Sequence, residues 1–213
     1  MEGEKYVIVL AGMIGAGKTT YTKYISEYFN SEAFYESVDD NPILEKFYKD
    51  KSRWGFALQV HFLNTRFKSI KRALQHKNNV LDRSIYEDSL FTQINFEQGN
   101  ITKEEMDIYN SLLDNMMEEI DGMPKKSPDL LIYLRGTFEK HLEHITKSGR
   151  DFEQSPEQLE YFRHLHSKYD EWFNNYKASD TLVFSIDELS IEDKDDREYI
   201  LKTIENKLKE IRQ

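Results

Sequence analysis

Residues 10–21, LAGMIGAGKTTY, contain the residue types that bind a nucleoside triphosphate. Gly12, Gly17, Lys18 and Thr19 fit the pattern G-x-x-x-x-G-K-[ST], directly after an apolar run. The glycines let backbone N–H groups converge on a phosphate, the following helix adds the positive end of its dipole, and the lysine adds a charge. Thr19 is expected to ligate Mg²⁺. The predicted ATP-binding residues of this loop are Gly12, Gly15, Ala16, Gly17, Lys18, Thr19 and Thr20.

The loop alone does not define the reaction, because kinases, motor ATPases and regulatory GTPases share it. A switch GTPase is expected to carry D-x-x-G and N-K-x-D as well. No Asp lies three residues before any of the nine glycines, and the one Asn-Lys pair, Asn206-Lys207, is followed by Leu and Lys. The sequence therefore disfavours a switch GTPase, and the phosphate acceptor has to be inferred from other residues.

Polar side chains follow two further apolar runs. Glu36 comes after AFY, and Asp82 and Arg83 come after NNVL. In open α/β sheets ligands bind beyond the carboxyl ends of the strands. A kinase that acts on a hydroxyl needs a carboxylate to accept the proton and cations to hold the phosphoryl group. Glu36 fits that base and Arg83 its partner, and a surface ion pair at a strand end is the alternative interpretation.

The elements that must position these residues alternate between strands and helices, which is typical of a parallel sheet with right-handed crossovers. The first apolar run shows no alternation, as expected of a strand covered on both faces. The predicted strands are Tyr6–Ala11, Ala33–Glu36, Asn79–Asp82, Asp129–Leu134 and Thr181–Ile186. We predict the α/β class, as a three-layer sandwich with a five-stranded parallel sheet of the P-loop NTPase-like kinase type.

Helices are predicted from apolar spacing and from capping residues. A stripe at intervals of three and four residues predicts a long helix over 53–76. Asn41 and Pro42 predict the start of a short helix that ends near Tyr48. Thr102 and Glu105 fit a capping box for a helix that ends near Ile120, and the stretch IEDKDDRE supplies the acidic first turn of a last helix. We predict one domain, 1–213.

Composition restricts the possible partners. The chain has 213 residues, of which 38% are hydrophobic, and a formal net charge of −10, which disfavours a nucleic acid polymer or an anionic membrane as a partner. The absence of cysteine excludes disulfides and thiolate metal sites and fits a reducing, cytoplasmic location. The apolar run near the N-terminus is too short for a signal peptide or a membrane span. No H-E-x-x-H motif accompanies the six histidines, so no structural metal is expected.

Five ordered blocks resemble the deoxynucleoside kinases, closest to the bacterial deoxyadenosine kinase type: GMIGAGKTT, FYESVDDNP, FYKDKSRWGFALQVHFLNTR, DRSIYED and KSGRDFE. The resemblance implies ATP- and Mg²⁺-dependent transfer of the γ-phosphoryl group to the 5′-hydroxyl of a deoxynucleoside, a nucleotide salvage reaction. Deoxyadenosine is the expected acceptor. Deoxyguanosine or deoxycytidine as acceptor, a small nucleoside monophosphate kinase, and a protein that binds nucleotide without turnover are the alternatives.

The resemblance also implies roles for single residues. Glu36 matches the general base, Arg83 the arginine that holds that carboxylate and the 5′-oxygen, and Asp82 an acidic residue at Mg²⁺. Tyr48 and Glu153 match the pair that hydrogen-bonds the sugar 3′-hydroxyl.

The base contacts are predicted on the long helix and just after it. Gln59 and Arg66 lie seven residues apart and so share one face of a helix, and a glutamine amide offers one donor and one acceptor to a base. By resemblance, an arginine and an aspartate at the positions of Arg66 and Asp88 go with purine or cytosine substrates rather than thymidine. The candidate aromatic walls around the base are Trp54, Phe56 and Phe91.

The predicted lid, about 144–154, departs from the family pattern. His144 and Ser148 stand where arginines are common, which leaves Lys147 and Arg150 as the predicted cations for the donor phosphates. Asp187, after the last strand, is expected near the adenine ring of the donor. The resemblance further implies a homodimer, with the long helix from Arg53 and the helix from about Ile85 as candidate contacts.

Overall fold

The sheet has five parallel strands, as predicted. A computed structural model of the protein describes residues 6–36, 41–76, 78–121, 127–148 and 156–211. The strands are β1 Val7–Ala11, β2 Glu32–Phe34, β3 Asn79–Asp82, β4 Leu130–Arg135 and β5 Asp180–Ser185. Their order across the sheet is β2-β3-β1-β4-β5, and every neighbouring pair is parallel. β1 therefore lies at the centre.

Helices cover both faces of the sheet and complete the predicted three-layer sandwich. In the described part of the chain they are α1 Lys18–Phe29, α2 Leu44–Lys49, α3 Lys51–His76, α4 Ile85–Glu97, α5 Lys103–Asp121, α6 Phe138–Ser148, α7 Pro156–Asn175 and α8 Lys194–Glu210. No helix within these ranges is both long enough and apolar enough to cross a bilayer.

One of the two capping predictions holds in full. Asn41 Oδ1 accepts hydrogen bonds from the backbone N–H groups of Ile43 and Leu44 at 2.9 and 3.2 Å, but α2 begins at Leu44, two residues later than predicted, and its N-cap residue, Ile43, provides no side-chain cap. Thr102 and Glu105 form the predicted capping box of α5, with bonds of 2.8 and 3.2 Å. The bounds of the long helix differ by two residues from the prediction, since α3 begins at Lys51.

The two largest apolar cores of the described residues lie on opposite faces of the sheet. Because side chains alternate along a strand, each fully buried central strand contributes to both. Ile8 and Leu10 of β1 pack on one face with Ile200 and Ile204 of α8. Leu131 and Tyr133 of β4 belong to the other core, together with α7. The buried runs of β1 and β4 follow from this double coverage.

The register of the central strands brings the predicted polar residues to one edge. Leu10 of β1 pairs with Asp82 of β3, so the phosphate loop after β1 and Arg83 after β3 leave the sheet side by side. Phe34 of β2 pairs with Leu81 of β3, which places Glu36 at the same edge. The carboxyl ends of three strands thus supply the candidate site.

Candidate active site

The phosphate loop connects β1 to α1 and is packed closely against α6. Gly15 has φ +79°, and a Cβ built on it would lie 2.5 Å from the backbone oxygen of His141 on α6. A side chain at this position would meet backbone, so only glycine allows the loop to pass α6 so closely.

Lys18 is the first residue of α1 and is buried beneath the loop. Its Nζ donates to the backbone oxygens of Gly12 at 2.7 Å and Met13 at 3.0 Å. Burial lowers the pKa of Lys18 to about 8, and the nearby charge of Arg83 acts in the same direction. The ammonium group is therefore held by neutral carbonyls, which an anionic phosphate can displace.

Glu36 lies between two arginines. Its Oε2 accepts from Arg83 Nε at 3.0 Å, and its Oε1 accepts from Arg66 Nη2 at 2.7 Å. The Glu36 side chain is only 12% exposed, so this is an ion pair within the site and not the surface pair that was the alternative. Burial by itself would raise the pKa of Glu36, but Arg83, Arg66 and Lys18 lower it to about 2. The carboxylate is ionised and able to accept a proton at neutral pH.

Arg83 has an unusual backbone conformation, φ +90°, in the region that favours glycine. Its N–H donates to the backbone oxygen of Leu10 at 3.1 Å, which ties the residue to β1. Its guanidinium group lies 4.8 Å from the centroid of the Phe91 ring. Strained residues of this kind persist only where several contacts hold them, and they cluster at functional sites.

Thr19 and Asp82, the two residues predicted at a magnesium ion, meet at the phosphate loop. Thr19 Oγ1 donates to Asp82 Oδ2 at 2.6 Å. Burial raises the pKa of Asp82, while the charge of Lys18 opposes that shift. Within the described ranges no three His, Cys, Asp or Glu side chains converge as a metal site. Two oxygen ligands and no protein cage fit Mg²⁺, which keeps waters and substrate phosphates in its coordination shell.

A cavity of about 200 Å³ opens beside the phosphate loop and contains the predicted acceptor residues. Arg66 Nε donates to Asp88 Oδ2 at 2.7 Å, so one arginine joins Asp88 to Glu36. Burial raises the pKa of Asp88 to about 6, against the opposing effect of Arg66. Apart from the phosphate loop, the polar residues that line the cavity are Glu36, Tyr48, Gln59, Arg66, Asp82, Arg83, Asp88 and Tyr161.

The apolar walls of this cavity differ in part from the prediction. Phe91 lines it, as expected, but Trp54 and Phe56 do not, and Phe47 and Phe62 are there instead. Phe56 packs in the core with Leu63 of the same helix. Phe56 and Phe62 are six residues apart, which places them about 120° apart around the helix axis. Only one of the two can therefore face the cavity.

A second cavity, about 310 Å³, lies on the other side of the phosphate loop. Lys147 lines it as predicted, together with Lys140, which the sequence reasoning did not identify although it lies on the same face of α6. Lys147 also pairs with Glu143. His144 Nδ1 is 2.8 Å from the backbone oxygen of Gly15, so this residue touches the loop in place of an arginine.

Of the predicted donor-side residues that the structure describes, Asp187 is not among those that line this cavity. Asp187 accepts from Thr137 Oγ1 at 2.6 Å and from its backbone N–H at 2.8 Å, whereas Ile186 and Leu189 on either side line the cavity. The role of Asp187 at the donor ring therefore stays a prediction. Arg150 and Glu153 lie outside the described residues.

Two buried residues behind the site were not predicted. Glu87 Oε1 accepts from the backbone N–H of Gly12 at 3.0 Å, and Tyr169 donates toward the backbone oxygen of Gly12 at 3.1 Å. In the sequence, Glu87 is the fourth residue of S-x-x-E, the signature of a capping box. The contact with the loop, 75 residues away along the chain, has no sequence signal.

The sequence model of the family described as deoxynucleoside kinase matches residues 8–209. A deoxyguanosine kinase of Lactobacillus johnsonii is 48% identical over 209 residues, which cover 96% of this chain and 93% of that protein. A deoxyadenosine kinase of Lactobacillus acidophilus is 44% identical over 96% of this chain and 97% of that protein. The structure of deoxyadenosine kinase from M. mycoides with bound dATP superposes with a TM-score of 0.80, at 29% identity, over 93% of this chain and 99% of that chain.

Proposed function

The chain belongs to the deoxynucleoside kinase family, and we propose that it transfers the γ-phosphoryl group of ATP to the 5′-hydroxyl of deoxyadenosine. The observation that carries the proposal is a single cavity that contains both an ionised carboxylate, Glu36, and the phosphate-loop residues Lys18 and Thr19. A sugar hydroxyl bound there lies between a proton acceptor and the loop that holds the phosphates.

The reaction follows from these positions. Glu36 accepts the proton of the 5′-hydroxyl, the 5′-oxygen forms a bond to the γ-phosphorus, and the bond from that phosphorus to the bridging oxygen of ADP breaks. Arg83 and Lys18 neutralise the charge on the phosphoryl oxygens as it develops. No covalent intermediate with the enzyme is required. Mg²⁺, held by Thr19 and Asp82, would supply further positive charge at the donor phosphates.

We assign sugar recognition to Tyr48, which lines the cavity beside the phosphate loop (the acceptor cavity), and, from the sequence alone, to Glu153. A phenol and a carboxylate can together bind a 3′-hydroxyl as donor and acceptor. On the donor side we assign Lys147, Arg150 and Asp187 from the sequence, and add Lys140 because it lines the cavity next to the loop.

The choice of base rests on the hydrogen-bonding capacity of Gln59, Arg66 and Asp88. Two of the five guanidinium N–H groups of Arg66 are bonded to Asp88 and Glu36, which fixes the orientation of the arginine beside both carboxylates. The Asp88 carboxylate and the Gln59 amide oxygen can accept from the adenine amino group, and the Gln59 amide nitrogen can donate to a ring nitrogen. This pattern favours deoxyadenosine.

Deoxyguanosine is the second candidate acceptor. It is supported by a specific observation, since a relative that is 48% identical carries the name deoxyguanosine kinase. Initial rates with the four deoxynucleosides, each with ATP and GTP as donor, separate these candidates. The highest kcat/KM with deoxyadenosine supports the first assignment, and the highest with deoxyguanosine replaces it.

We also propose a homodimer in the cytoplasm. α3 and α4 pack against each other and are the helices expected from the family resemblance to make the contact. A cysteine-free chain fits a reducing compartment. Light scattering coupled to size-exclusion chromatography measures the mass, which is expected to be twice the 25.4 kDa of one chain.

The role of Glu36 is tested by Glu36→Gln. We expect kcat to fall by about two orders of magnitude or more, because the amide cannot accept the proton, while deoxyadenosine still binds. Isothermal calorimetry gives the dissociation constant and a coupled ADP assay gives kcat. The matched control is Glu198→Gln, which removes an exposed carboxylate paired with Lys202 on α8. Turnover at the wild-type rate in Glu36→Gln would remove Glu36 from this role.

A further inference from the structure

A buried hydrogen-bond network joins the phosphate loop to Arg83 from behind the active site. Glu87 is completely buried, and Tyr169 of α7 is 1% exposed. The Tyr169 hydroxyl lies 3.0 Å from Glu87 Oε1 and 3.1 Å from the backbone oxygen of Gly12, and it accepts from Arg83 Nη1 at 3.2 Å. The side chains of Glu87 and Tyr169 therefore contact both the phosphate loop and Arg83.

Glu87 uses both of its oxygens in this network. Oε1 accepts from the backbone N–H of Gly12 at 3.0 Å and lies 3.4 Å from Arg83 Nη1. Oε2 accepts from the backbone N–H of Ser84 at 3.0 Å, which closes the capping box of α4. The carboxylate thus fixes the residue that follows Arg83 and, at the same time, the first glycine of the phosphate loop.

Two groups in the described structure lie within hydrogen-bond distance of the Gly12 carbonyl. Lys18 Nζ donates to it at 2.7 Å, and the Tyr169 hydroxyl lies 3.1 Å away, with a single proton that can go either to this carbonyl or to Glu87 Oε1 at 3.0 Å. A lysine that moves to a donor phosphate leaves this carbonyl, and a buried carbonyl without a partner is unfavourable. The Tyr169 hydroxyl can still donate to it after that movement.

We propose that Tyr169 and Glu87 are positioning residues of this kinase: they hold the phosphate loop against Arg83, and the Tyr169 hydroxyl keeps the Gly12 carbonyl paired when Lys18 turns to the donor phosphate. The inference rests on the proposed function, and neither residue touches a substrate. Burial, with the charge of Glu87 beside it, raises the pKa of the Tyr169 hydroxyl well above its usual value. The hydroxyl keeps its proton at neutral pH and stays a donor.

Tyr169→Phe tests the first part, because it removes one hydroxyl and keeps the ring that stacks on Tyr133. We expect binding of a non-hydrolysable ATP analogue with Mg²⁺ to weaken about tenfold, as for loss of one buried hydrogen bond, with deoxyadenosine affinity within about threefold of wild type. The matched control is Tyr176→Phe, which deletes a hydroxyl bonded to Ser179 at 2.8 Å, near the end of the same helix. The control is expected to bind both ligands as wild type does.

Both affinities are measured by isothermal calorimetry, which does not need turnover. An unchanged affinity for the ATP analogue in Tyr169→Phe, or an equal loss in Tyr176→Phe, overturns the role of the hydroxyl. Wild-type protein that binds no deoxynucleoside contradicts the proposed function instead, so the two failures are distinct.

Glu87→Gln tests the second part. The amide keeps the shape but places an N–H₂ group where either Gly12 or Ser84 presents a backbone N–H, and Arg83 loses an anionic partner. We expect kcat to fall about tenfold or more, because Arg83 is no longer held in its reactive position. The affinity for deoxyadenosine is expected to be retained. Glu97→Gln on the same helix, paired with His164 at the surface, is the control. A kcat within twofold of wild type in folded Glu87→Gln protein overturns this assignment.

Discussion

At the scale of single residues, the site consists of charges that compensate one another away from water. Three cationic side chains and four carboxylates lie together in the site. Because the carboxylates outnumber the cations, an anionic phosphate needs additional positive charge to bind there. These residues are Lys18, Arg66, Arg83, Glu36, Asp82, Glu87 and Asp88. Glu36 contacts two arginines and keeps a low pKa, whereas Asp88 pairs only with Arg66 among the described residues, and burial dominates there and raises its pKa.

The raised pKa of Asp88 predicts a pH dependence of acceptor binding. Above about pH 6, the pKa of Asp88, the carboxylate is ionised and accepts strongly from a base amino group; as the pH falls through about 6 it gains a proton, which removes its charge and turns one of its oxygens into a donor. We expect kcat/KM for deoxyadenosine to decrease below pH 6, about tenfold for each pH unit. Initial rates between pH 5 and 8 measure the limb. Asp88→Asn should not show this decrease of kcat/KM below pH 6. If the variant shows the same decrease, another group is responsible for it.

Sequence patterns predicted the residues that carry charge but not all of those that pack around them. Glu36 and Arg83 follow strands that end at one edge, so their contact is a consequence of topology that the alternation of elements already indicates. Phe62 and Lys140 were missed because the phase of a helix relative to a cavity depends on tertiary packing. The link from Tyr169 to Gly12 crosses 157 residues of sequence and leaves no periodic signal.

At the scale of elements, α6 and the phosphate loop form one unit. The loop passes so close to the α6 backbone that His144 contacts Gly15. The two lysines of α6, Lys140 and Lys147, line the second cavity, next to the loop. If the proposed donor site is correct, the position of α6 determines where the donor phosphates meet positive charge.

This packing predicts different effects for two glycine substitutions. Gly15 and Gly99 have similar φ values, +79° and +73°, so alanine at either costs about 1 kcal/mol of backbone strain. Only at Gly15 would the new Cβ also meet a backbone oxygen, and relief of that clash has to displace α6. We expect Gly15→Ala to raise the KM for ATP by about tenfold or more and to lower Tm further than Gly99→Ala does. Steady-state kinetics and calorimetry measure both; equal effects in the two variants would contradict the close packing.

The five strands and the long helix were predictable to within about two residues at each end, because buried strands are unbroken apolar runs and a helix of this length shows its apolar stripe, whereas no bounds were predicted for α6 and α7. β5 runs over Asp180–Ser185 where Thr181–Ile186 was predicted. The order of strands was not predicted, since any of several right-handed parallel arrangements fits the same alternation. That order is what places β1 between β3 and β4.

At the scale of the whole molecule, the acceptor cavity draws on elements from both sides of the central strand. α2, α3, α4 and α7 contribute side chains to it, and the phosphate loop reaches it from β1. The two apolar cores share the same sheet. Ligand binding should therefore stabilise the fold as a unit rather than one part of it.

The predicted single domain, 1–213, has a thermodynamic consequence. We expect one unfolding transition in differential scanning calorimetry, with calorimetric and van't Hoff enthalpies that agree when the proposed dimer is taken as the unfolding unit. Deoxyadenosine at about 100 times its dissociation constant adds about 2.7 kcal/mol of stability, which for a chain of this size raises Tm by about 5–10 °C. Glu36→Gln should show the same shift, because it loses the proton acceptor and not the binding cavity. Two transitions, of which deoxyadenosine moves only one, would show that the chain is two folding units and that the cavity belongs to one of them.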